Sequence, residues 1–128
     1  MRAILINPQD KTITEVDYNG DYHHIYQLID ATCFDCVRID ARETIYIDDE
    51  GLINGKGNEV GFFYVKGDNP IALAGKGLIL STDDDRDRGS VGTELTVDAV
   101  RAMIDWVQPA RVNGVLCWMG TDQFYRMY

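Results

Sequence analysis

A chain of 128 residues is long enough for one domain with an ordinary apolar core, and 45% hydrophobic with 10% aromatic residues argues against disorder. Acidic residues outnumber basic ones 21 to 12, and the net charge of −9 disfavours direct binding to nucleic acid, whose phosphates demand Lys and Arg. It favours solubility, basic partners or mimicry of a polyanion.

In chain order, residues 2–6 (RAILI) read as a strand with apolar groups on both faces. Asn7-Pro8-Gln9-Asp10 is a turn, and residues 11–18 (KTITEVDY) return antiparallel as a hairpin. Ile13 falls out of parity with Val16 and Tyr18, which points to a bulge or an edge position. Asn19-Gly20 breaks the strand, and Asp21 caps a helix over residues 22–30 whose apolar face is Ile25, Leu28 and Ile29. Residues 34–39 and 44–48 form a second hairpin, followed by a glycine-rich connection to Asn58. Residues 60–65 (VGFFYV) are a further strand.

The densest signal lies between Pro70 and Asp87. Leu78, Ile79 and Leu80 form a continuous apolar run, the pattern of a strand buried on both faces. Gly75 and Gly77 before it allow backbone angles that other residues resist, and Asp83, Asp84, Asp85 and Asp87 after it must stay in water or gather cations. Thr96 caps a second helix over residues 97–107, with Leu95 and Val100 as its hydrophobic staple. Val97, Val100, Met103, Ile104 and Val107 make its apolar stripe, and Pro109 ends it. Residues 114–120 are a last strand before the aromatic TDQFYRMY. The expected class is α+β, a mainly antiparallel mixed sheet built from hairpins with two helices packed on it. Residues 1–108 form one α+β domain, and residues 109–128 are a strand and aromatic tail packed on that domain.

Most chemical motifs fall short. Cys33-Phe34-Asp35-Cys36 is a CxxC, but no second pair completes a zinc site, and it enters a strand where a redox motif would open a helix. His23 and His24 are adjacent on a helix and diverge by about 100°, too far to chelate together. Asp83, Asp85, Asp87 and Glu94 imitate a calcium-loop spacing, yet Arg88 stands where the turn glycine belongs. Gly75-Lys76-Gly77 is followed by a strand, unlike a phosphate-binding loop, and neither Ser81 nor Ser90 sits in a nucleophile elbow. Tyr22, Tyr26, Tyr46 and Tyr64 could line a pocket, although tyrosines are mostly packing residues. No metal or cofactor is expected. Three cysteines, Cys33, Cys36 and Cys117, cannot all pair within one chain and point to a reducing cytoplasm. The start MRAILINPQD reads as no signal peptide, and no stretch has the length of a membrane span.

Three segments, AILINPQDKTITEVDYNGDYHHIYQLI, IYIDDEGLIN and PIALAGKGLILSTDDD, occur in succession. Together they resemble a domain-of-unknown-function family of small acidic proteins frequent in bacteriophages, plasmids and integrated mobile elements. The resemblance covers roughly residues 1–105 and departs from Pro109 onward. It implies a mobile-element setting in the host cytoplasm and carries over no catalytic residue.

The expected function is therefore a non-enzymatic accessory protein that binds a host protein, such as an anti-defence inhibitor. Capture of a small, nucleotide-type ligand is the alternative, with Lys76 and Tyr64 as cradle and stacking face. A metal-dependent enzyme using the acidic loop is the third. The candidate binding residues are Asp48, Asp49, Glu50, Lys76, Asp83, Asp84, Asp85 and Asp87. The seven carboxylates make one negative surface if both strand ends emerge on the same side of the sheet, and two solvated turns if they lie at opposite ends.

Overall fold

Short extended segments rich in Val, Ile, Phe and Tyr dominate the chain, and in the computed structural model they pair into two antiparallel sheets. The structure describes residues 1–48, 61–67, 70–82 and 90–127. Strands β1 (Arg2–Asn7) and β2 (Thr12–Asp17) form the first hairpin, and β3 (Phe34–Arg38) and β4 (Glu43–Asp48) the second. Strand β7 (Gly77–Thr82) enters between them, giving the order β2-β1-β7-β4-β3, and the two-residue β8 (Ser90–Val91) pairs with the end of β7. The second sheet contains β5 (Phe62–Val65), β6 (Ile71–Ala74), β9 (Ile104–Val112), β10 (Val115–Met119) and β11 (Phe124–Arg126), in the order β11-β10-β9-β5-β6.

Only two helices are described, α1 (Tyr22–Ile29) and α2 (Val97–Met103), of 8 and 7 residues. The fold is thus mainly β, which corrects the expected α+β class. The decisive difference lies at residues 104–112. The helix expected to reach residue 107 stops at Met103; Ile104 is extended, with φ −104° and ψ 138°, and β9 runs for nine residues through Pro109. The stripe Val100, Met103, Ile104 and Val107 fits a helix, but Ile104 and Trp106 also alternate as a strand, and so short an apolar run serves either period. Among the described residues the pairing of β9 with β5 ends at Val107, and Pro109 faces Trp118 of β10, a position where the missing N–H breaks no described ladder bond to β5.

Side chains of the first sheet divide by parity between two cores. Ile4, Ile6, Ile13, Ile45 and Ile79 pack with Phe63, Val65, Leu73 and Ile104 of the second sheet and with Val100 of α2. Ala3, Tyr18, Leu78 and Leu80 pack under Ile25 and Ile29 of α1. Leu78, Ile79 and Leu80 are all fully buried, as their unbroken apolar run requires. The parity break in β2 has the same origin. Its register with β1 is unbroken from Arg2–Asp17 to Asn7–Thr12, without a bulge, and β2 lies at the sheet edge. Ile13 faces the inter-sheet core, while Val16 and Tyr18 face α1.

Both helices begin where their sequences place them. The Asp21 carboxylate accepts from His23 N, and Thr96 Oγ1 accepts from Ala99 N. The caps satisfy backbone donors that the first turn leaves free.

At one end of the first sheet a polar knot is buried. The Glu43 carboxylate accepts from the hydroxyls of Ser81 and Thr93 and from Glu94 N. Thr93 N donates to Arg2 O, and the Arg2 guanidinium donates back to Thr93 O. These bonds seat the 92–95 segment, and hence the start of α2, against β1, β4 and β7.

Gly77 is required by space. A Cβ there would lie 2.8 Å from Phe63 Cζ and 3.0 Å from Ile45 Cγ2. Gly77→Ala should therefore cost about 1–3 kcal/mol through overpacking, and Phe63→Leu in the same chain should recover part of it. Denaturant midpoints of the two single variants and the double variant measure this coupling.

Candidate functional site

Of the candidate binding residues named from the sequence, only Asp48 and Lys76 lie among the described residues. Glu43 of β4 pairs with Ser81 of β7, and Ile47 with Gly77. Asp48 therefore lies at the Lys76 end of the sheet, and the chain leaves β7 at Thr82 at the opposite end. Asp49, Glu50, Asp83, Asp84, Asp85 and Asp87 lie outside the described residues. Lys76 Nζ sits 2.5 Å from Asp30 Oδ2, just past α1, where Asp30 takes a left-handed conformation with φ 55°. The lysine thus ties the end of α1 to the start of β7. Gly75 beside it has φ 79°, the left-handed angle that its sequence setting implied.

The other sequence candidates are also engaged in structure. Tyr22, Tyr26, Phe34 and Tyr46 form a chain of ring contacts on the α1 side, with successive centroids 6.1, 5.0 and 5.3 Å apart. Tyr64 stacks on Tyr125 in the second sheet at 3.9 Å. His23 Nδ1 bonds the capping Asp21, and His24 Nδ1 accepts from Asn19 N. Hydrogen bonds from His23, its backbone first and then its ring, hold the Asp21 carboxyl below the usual carboxylate value. Burial, then the neighbouring Asp35, push the Cys36 thiol up, away from the thiolate that redox or zinc chemistry needs. Among the described residues no three His, Cys, Asp or Glu side chains are grouped to hold a metal ion.

The structure instead builds a cleft around Trp106. Its main part, about 520 Å³, is walled by Phe62, Trp106, Val107, Gln108 and Pro109 on one side. Pro8, Lys11 and Gly61 form a second side, and Met119, Gly120 and Thr121 a third. A second, smaller space of about 410 Å³ shares Lys11, Trp106 and Thr121 with it and adds residues 12–14, Arg101, Ile104 and Asp105.

Local sequence explains each wall. Asn7 Oδ1 accepts from Gln9 N and Asp10 N, and this closed turn delivers Lys11 in a left-handed conformation with φ 56°. Gly61 has φ 85°, and a Cβ on it would come within 3.1 Å of the Pro8 carbonyl, so the two segments touch closely.

The third wall hangs on one buried carboxylate. Asp105 of β9 accepts from Thr121 N at 3.1 Å, from Thr121 Oγ1 at 2.7 Å and from Tyr125 Oη at 2.7 Å. A side chain on Gly120 would strike Asp105 Oδ2 and Tyr125, which makes glycine obligatory at that bend. Burial alone would raise the Asp105 pKa. The bonds from Thr121 and Tyr125, with Lys66 nearby, outweigh it and hold the carboxyl below its ordinary value. The Tyr125 phenol is pushed up to about 12 by burial and then by its bond to Asp105.

Sequence reading passed over Lys11, Trp106 and Thr121 because they are far apart in the chain. Asp105, a lone acid between the apolar Ile104 and Trp106, was the one available local signal.

The family model of the domain of unknown function DUF3846 matches residues 1–118. The chain belongs to this family. The match extends past the expected boundary near residue 105 and takes in all of β9 and most of β10. No curated protein and no solved structure matches the chain. In this DUF3846 chain the donors to Asp105, Thr121 and Tyr125, lie beyond the matched residues.

The Asp105–Tyr125 bond should give stability a window in pH. Asp105, depressed in the fold, contributes fully above its ordinary 3.8 and loses its contribution as pH falls through the lower folded value. Tyr125, raised in the fold, contributes below 10.0 and loses its contribution as pH climbs through about 12. Tyr125→Phe should cost about 1–3 kcal/mol near neutral pH and lose less stability than the wild type above pH 10.0. Denaturation across a pH series reads both effects.

Proposed function

We propose that this chain is a non-enzymatic binding protein that takes a small ligand in the cleft beside Trp106, as an accessory of a bacteriophage, plasmid or other mobile element. The observation that carries the reading is the cleft: about 520 Å³ of space bounded by an indole, an amide, a hydroxyl and a lysine. Volumes of this order suit small ligands, and a few placed polar groups on apolar walls fix orientation. Binding is favoured over catalysis because Asp105 already accepts three hydrogen bonds and has a depressed pKa, a poor state for a general base. The mobile-element setting is supported by the three sequence segments that led to the family.

Capture of a host protein, such as a defence factor, is supported by a separate observation. Val115, Leu116 and Phe124 are 66%, 49% and 54% exposed on the outer strands of the second sheet, beside a shallow groove of about 490 Å³. Exposed apolar side chains clustered on a charged molecule mark interaction surfaces. The metal-dependent reading rests on residues 83–87, which are outside the described residues.

The small-molecule fraction of a bacterial lysate should raise the melting temperature of the wild type, since a ligand at a hundred times its Kd adds about 2.7 kcal/mol. Lys11→Asn, which suits the left-handed turn, should weaken that shift. An unchanged melting curve would rule out the ligand reading. If a host protein is the partner, Val115→Asp with Leu116→Asp should abolish its stoichiometric co-purification while leaving the melting temperature of the free protein unchanged.

A further inference from the structure

Resting on that cleft reading, we infer that the ligand is a free nucleotide, its base held in the larger part of the cleft and its phosphate in the smaller. The two parts differ in chemistry. The larger offers Trp106 as its aromatic face, with Met119 and Gln108 on the same face of the second sheet. A glutamine amide presents donor and acceptor together, the complement of a base edge. Aromatic faces stack on any base because every base has a π-face.

The smaller part is lined by two cations, Lys11 and Arg101, and by Asp105, whose carboxylate is already taken up by donors from Thr121 and Tyr125. A guanidinium and an ammonium group together suit a tetrahedral oxyanion carrying several acceptor oxygens. Among the described residues Arg101 pairs with Asp98, at 3.5 Å in an exposed pair, a weak tie that a phosphate can displace. Lys11 forms no ion pair among the described residues, and the neighbouring Asp10 is engaged by Asn7 Nδ2 at 3.1 Å.

The two parts share Lys11, Trp106 and Thr121 as common walls, and the inferred ligand reaches both, with its ring at one end and its anion at the other. The net charge of −9 selects a mononucleotide over a polynucleotide, because a phosphate chain would meet repulsion beyond these two cations.

The test uses the fluorescence of Trp106 in a Trp118→Phe variant of the full chain, titrated with adenosine and guanosine 5′-monophosphates, adenosine, inorganic phosphate and a single-stranded oligonucleotide. The mononucleotides should change the Trp106 emission saturably, and adenosine and phosphate should each bind at least about tenfold more weakly, the scale of one lost charge-assisted bond. Lys11→Asn and Arg101→Gln, both at exposed positions, should each weaken the mononucleotide by a similar factor with unchanged melting temperature. Equal affinity for adenosine and its monophosphate overturns the phosphate assignment, and tighter binding of the oligonucleotide overturns the free-nucleotide assignment. If no nucleotide binds while the lysate fraction still raises the melting temperature, the nucleotide class is wrong and the cleft reading stands. If neither acts, both fall.

Discussion

A sheet that is apolar on both faces cannot exist in water without two covers, and this constraint organises the molecule. Alternate side chains of β1 and β7 point into opposite cores, and none on the three central residues of β7 is polar. Helix α1 closes one face; the second sheet and α2 close the other. Each fully buried Ile or Leu contributes about 1.5–3 kcal/mol relative to exposure, so loss of either cover would leave a row of such residues wet. The polar exception, Glu43, is compatible with this layer because two hydroxyls and a backbone N–H meet its carboxylate.

Much of the local structure was legible. Both hairpins of the first sheet, the caps Asp21 and Thr96, and the buried character of Leu78–Leu80 follow from side-chain type and short-range geometry. The class was not legible, for two physical reasons. Residues 97–107 carry apolar groups at spacings that satisfy a helix and then a strand, and only the pairing of Ile104–Val107 with Phe62–Val65 decides between them. Nor does a strand's sequence say which sheet it joins: β5 and β6 are apolar runs like the centre of β7, yet they pair in the other sheet. The Gly75-Lys76-Gly77 segment shows a related ambiguity. Its glycines serve a left-handed bend and the close approach of Phe63, and its lysine serves Asp30.

The cleft was hidden because distance in the chain is no guide to it. Lys11 comes from the first turn, Trp106 from β9 and Thr121 from the bend after β10. What holds them in register is Asp105, whose carboxylate points to the opposite side of β9 from Trp106 and binds the Thr121 bend from behind. The wall of the cleft and its brace thus belong to consecutive residues of one strand, a consequence of the two-residue period.

The late arrival of β7 bears on how the chain acquires its shape. The two hairpins of the first sheet can pair as soon as their own residues exist, but the inner edges of β1 and β4 have no neighbour until residues 77–82 reach them. Until then each hairpin exposes an unpaired strand edge and an apolar face, the features that recruit chaperones and promote misassembly. Closure joins residues more than 70 positions apart, such as Ile4 and Ile79, so the slow step of folding is a long-range encounter, not a local turn. A ribosome-bound fragment ending before β7 would hold two separate hairpins and no common core.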